Sequence, residues 1–144
     1  MKNINILSKL AVLKKEDCIH EEFSFADFNH GEYNKNSKYK NCKTLGCLAG
    51  ELPGITTDWY FEIDDSLVCV HFKESRINNI IHLMMYFDLT EKQAKHLFIP
   101  RTQYADIDPE SKILTASSTF EEVQANLQRF LTIKGIDYRK EALL

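Results

Sequence analysis

The chain has 144 residues, 44% of them hydrophobic and 27% charged, which predicts one globular domain with a core that needs no metal or disulfide. Eighteen basic residues against 21 acidic ones leave a formal net charge of −3, which argues against a broadly basic nucleic-acid binder. No apolar run approaches the roughly 18–20 residues that cross a bilayer, so no membrane association is expected.

The predicted elements follow in chain order. Ile4, Leu7, Leu10, Ala11 and Lys14 fall on one helical stripe within Asn3 to Lys15, the apolar face ending in a lysine stem. This segment is interrupted by Asn5, Ser8 and Lys9 and lacks a small-residue cleavage site, so it does not read as a secretory signal. Phe23, Phe25 and Phe28 form an aromatic stretch expected to plug the core, and the polar run from His30 to Lys43 reads as a loop. A helix carrying LGCLAGEL is predicted to start at Thr44, a good N-cap type, and to stop at Pro53 and Gly54. From Trp59 to Phe72 the period changes to alternation. Asp64, Asp65 and Ser66 supply a turn, so the segment predicts a β-hairpin.

Ser75 is expected to cap a helix whose apolar face is Ile77, Ile80, Ile81, Met84 and Met85. Thr90 with Gln93, and Thr119 with Glu122, are capping-box pairs that start two further helices. The first should end by Pro100; the second carries Val123, Leu127, Phe130 and Leu131 on one face and closes at Gly135. Residues 100–117 read as a long connection, and residues 137–144 as a flexible C-terminal extension. The fold class expected is therefore mainly α (α+β), a compact helical domain of residues 1–144 with one β-hairpin. Its predicted core is Leu7, Leu10, Phe25, Leu45, Leu48, Ile81, Met84, Leu97, Phe98, Leu127 and Phe130.

Two segments carry a family resemblance. Cys42, Thr44, Cys47, Ala49 and Gly50 form a Cys-x-Thr-x-x-Cys-x-Ala-Gly motif. Leu89, Thr90, Gln93, Ala94, Leu97, Phe98 and Pro100 form a Leu-Thr-x-x-Gln-Ala-x-x-Leu-Phe-x-Pro segment. Both resemble a family of uncharacterised bacterial and phage proteins, as does the final helix with its glycine. Glu51 stands where that family usually has Trp, and Leu52-Pro53-Gly54 follows it directly. The resemblance implies a helical fold and brings no established activity. Its phage context implies an accessory role against a host protein, such as inhibition of host defence.

The small residues of the motif support three readings. Gly46, Cys47, Ala49 and Gly50 would let a second helix approach closely, with the thiol acting as a small apolar group, and this packing reading is the one adopted. A zinc site would need two more ligands at matching spacing, and Cys18, His20, His71, His82 and His96 do not supply such a pair. A nucleophilic Cys47 at a helix N-terminus would need a base that the sequence does not place beside it. No catalytic residue, metal or cofactor is therefore assigned. Four cysteines are too sparse for a disulfide framework, so free thiols and a cytoplasmic location are expected.

Asp106, Asp108 and Glu110 resemble the start of a calcium loop, but Ser111 stands where the turn needs Gly and Ser117 where a bidentate Glu closes the site. The run reads as a solvated loop. Tyr33, Lys35, Lys38, Tyr39, Lys40 and Lys43 form a segment whose lysines have no acid among them. It is the candidate surface for nucleic acid or a phosphate ligand. The leading expectation is a non-catalytic protein-binding module, contacting a protein partner or a second copy through the aromatic hairpin, with Trp59 and Phe61 as contact residues.

Overall fold

The computed structural model describes residues 1–18, 22–23, 30–31, 44–46, 48–64, 67–72, 79–99, 106–110, 114–115 and 117–144. Helix α1 spans Ile4–Val12 and buries Ile6, Leu7, Leu10 and Ala11. Short strands follow at Glu22–Phe23 (β1), His30–Gly31 (β2) and Thr44–Gly46 (β3), then a 3₁₀ turn at Leu48–Glu51 and a one-turn helix, α2, at Leu52–Ile55. The hairpin pairs β4, Trp59–Asp64, with β5, Leu67–Phe72. Among the described residues four further helices follow: α3 at Asn79–Phe87, α4 at Glu91–Phe98, α5 at Phe120–Ile133 and α6 at Tyr138–Glu141. Among the described residues the architecture is mainly helical with one regular hairpin, as the sequence predicts.

Two helix starts follow directly from local chemistry. The Thr90 hydroxyl accepts from the Gln93 N–H at 3.2 Å, and the Gln93 side chain accepts from the Thr90 N–H at 2.9 Å. Thr119 and Glu122 make the same reciprocal pair at 3.2 and 3.0 Å. Each box satisfies two backbone donors that the first helical turn leaves over. At the other end of α5, Gly135 takes φ +75°, a left-handed conformation that suits a residue without a Cβ.

Between residues 44 and 55 the structure departs from expectation. Thr44 does not cap a helix. Thr44–Gly46 is the central strand of a small three-stranded ladder, parallel to β1 and antiparallel to β2, with Leu45 opposite both Glu22 and His30. Local N-cap preference is overridden by pairing with residues distant in sequence. Pro53 and Gly54 do not stop a helix either; they lie inside α2, with Pro53 in its first turn. A first-turn proline is tolerated because its missing N–H would have had no partner there.

The core joins α1, the 3₁₀ turn, α3, α4 and α5. Leu7, Leu10, Leu48, Leu97, Phe98, Leu127 and Phe130 are buried as expected, together with Trp59, Leu83 and Phe87. Met84 packs partly buried against this cluster. Ile81 is the exception: it is 43% exposed. Phe25, and the side chain of Leu45, lie outside the described residues. The C-terminal segment is not a loose extension. Asp137 caps α6 by accepting from the Lys140 N–H at 3.3 Å, and Tyr138 is buried in the core. The helix packs on α1 and α5, because a buried aromatic side chain offsets the ordering entropy of a short terminal turn.

Candidate functional site

The root of the hairpin is clamped onto α3. Trp59 is 1% exposed and meets the rings of Tyr86 and His82 edge-on, with centroids 5.7 and 6.2 Å away. The Tyr86 hydroxyl donates to Asp58 Oδ2 at 2.8 Å, and the Asp58 N–H donates to Thr56 Oγ1 at 3.2 Å. Burial, with the Asp58 carboxylate accepting the bond, pushes the Tyr86 phenol well above its ordinary range. The phenol thus stays a neutral donor and orders the turn that leads into β4. Trp59 is consequently a core residue rather than a contact residue, which corrects its assignment to a partner surface. The Phe61 side chain, the 33–43 loop with Tyr33, Lys35, Lys38, Tyr39, Lys40 and Lys43, and both Cys42 and Cys47 lie outside the described residues.

Helix α3 is rotated from the expected orientation: Ile80 and Met84 of the expected face still pack partly buried against the core, while Ile81 and Met85 turn outward. Its buried side chains are His82, Leu83, Tyr86 and Phe87, while Ile81 and Met85 are 43% and 58% exposed. The helix is apolar nearly all round, so periodicity alone does not select its inner face. The two aromatic rings remove more surface from water than Ile81 and Met85 would, and they decide the orientation. Ile81 and Met85, one turn apart, therefore form an outward apolar stripe on the helix that packs against β5.

The C-terminal end of α3 is closed by residues from both sides of the chain. Asp88 adopts φ +53°, and the Leu89 N–H returns to Met84 O at 2.9 Å. The Lys2 N–H and Asn3 Nδ2 donate to the carbonyls of Phe87 and Tyr86, each at 2.8 Å. The outward stripe thus sits on a helix whose end is satisfied by hydrogen bonds.

The acidic run is structural. Asp108 is 1% exposed and receives Arg129 Nε at its Oδ2 and Nη2 at its Oδ1, both at 2.8 Å. Its Oδ1 also accepts from the Glu110 N–H at 3.0 Å. The Arg129 bonds hold the Asp108 carboxyl below the usual carboxylate range. Asp108 is thereby a tether of residues 106–110 to α5, which corrects its reading as part of a solvated loop. Asp106 meets Lys92 at 3.5 Å on the surface. His96, buried on α4, is held below its ordinary value chiefly by burial, against the opposing charges of Asp108 and Asp106.

A second tether had no sequence signal. Gln124 Nε2 on α5 donates to Leu10 O at 3.1 Å and Leu13 O at 2.7 Å, and Gln128 Nε2 donates to Ala11 O at 2.7 Å. The two amides, one turn apart, satisfy carbonyls at the end of α1 more than a hundred residues away in sequence. Beyond that end, Cys18 is half-buried and its Sγ lies 3.6 Å from Lys14 O. Burial first, then the charge of Glu51, pushes its thiol up to about 12, so the reactive thiolate is disfavoured.

Among the described residues, no group of three or more His, Cys, Asp or Glu side chains is placed to hold a metal ion. No described helix is long and apolar enough to cross a membrane. The chain matches no protein-family model, no curated protein and no solved structure.

Proposed function

We propose that this chain is a non-catalytic protein-binding module whose contact face is the outward side of α3 beside the hairpin. One observation carries the reading: Ile81 and Met85 stand one turn apart and exposed on a helix whose other side is locked into the core. An apolar pair held on a fixed helix face is a suitable anchor for a partner, and methionine adapts to the shape it meets. The partner is a protein of another kind or a second copy of the chain, and the setting is the cytoplasm. The motif resemblance to phage proteins supports an accessory role against a host protein.

The test compares the native protein with an Ile81→Glu, Met85→Glu double variant, both checked for equal helical circular dichroism and equal Tm. Since both side chains already face water, the variant is expected to fold normally while losing its captured partner or its self-association in sedimentation velocity. Recovery of the same partner and the same sedimentation coefficient from both proteins would overturn the proposal. Salt-sensitive oligonucleotide binding that disappears on changing Lys35, Lys38 and Lys40 to Glu would instead place the function in the 33–43 loop.

A further inference from the structure

We draw no further inference here: the strongest candidate, the groove between the first turn of α4 and the last turn of α5 that is lined by Phe130, Ile133, Lys92 and Lys134, carries nothing because no feature of the structure shows what occupies it.

Discussion

Replacing Gln124 with Ala removes the amide's two hydrogen bonds to the Leu10 and Leu13 carbonyls at the end of α1, leaving Leu10 O only the Leu13 N–H at 3.4 Å. Each such bond contributes about 0.5–1.5 kcal/mol net, so the loss should be about 1–3 kcal/mol. A chain of 144 residues unfolds with an entropy of about 0.3 kcal/mol/K, so a loss of about 2 kcal/mol lowers Tm by about 7 °C. Gln124→Glu should be worse at pH 7 than Gln124→Ala, since it turns an acceptor and a negative charge toward the negative end of a helix. Its deficit should shrink as the pH falls through about 4–5, where the new carboxyl regains a proton and can donate. Gln124→Lys keeps a donor, adds a favourable charge, and should lose less than Ala. Urea titrations of the four proteins at pH 7, with the Glu variant repeated under acidic conditions, measure all of this. A Gln124→Ala protein within a few tenths of a kcal/mol of native, or a Glu variant as stable as native at pH 7, would refute the capping argument.

Four other outcomes are expected. Gly135→Ala should cost about 1 kcal/mol through its left-handed backbone alone, because an added Cβ meets nothing within 4 Å; an unchanged urea midpoint would contradict that. Burial keeps His96 below its ordinary value, so below about pH 6.5 the unfolded chain binds a proton that the folded chain refuses, and stability falls as pH drops through that window. A His96→Gln variant should show a shallower loss between pH 7 and 5, and identical slopes would exclude His96 as the source. The stability held by Asp108, whose carboxyl is depressed by Arg129, is present above the unfolded value of about 3.9 and goes only as pH falls further through the folded one. Finally, with its thiol pushed up to about 12, the peptide carrying Cys18 should stay unlabelled by iodoacetamide at neutral pH in the folded protein and react fully in urea; mass mapping that finds rapid labelling of the folded chain would refute the assignment.

Features that depend on neighbours a few residues apart were legible in the sequence. The Thr90 and Thr119 capping boxes, the left-handed stop at Gly135, the buried stripe of α5 and the hairpin itself are each decided within one or two turns of chain, where side-chain chemistry acts on its own backbone. Features set by competition between distant parts were not. Thr44 has the chemistry of a cap and the position of a strand, because Glu22 and His30 pair across Leu45. Pro53 can end a helix or open one, and only the turn before it decides which. Helix α3 is apolar on several sides, so the choice between burying Ile81 and Met85 or Tyr86 and Phe87 fell to the shape of the core that Trp59 and Phe98 complete. The same packing withdrew Trp59 from the surface and left the outward stripe in its place. Gln124, Gln128 and Asp108 carry no motif, since a lone amide or carboxylate acquires its role only when folding brings an unsatisfied carbonyl or guanidinium within about 3 Å.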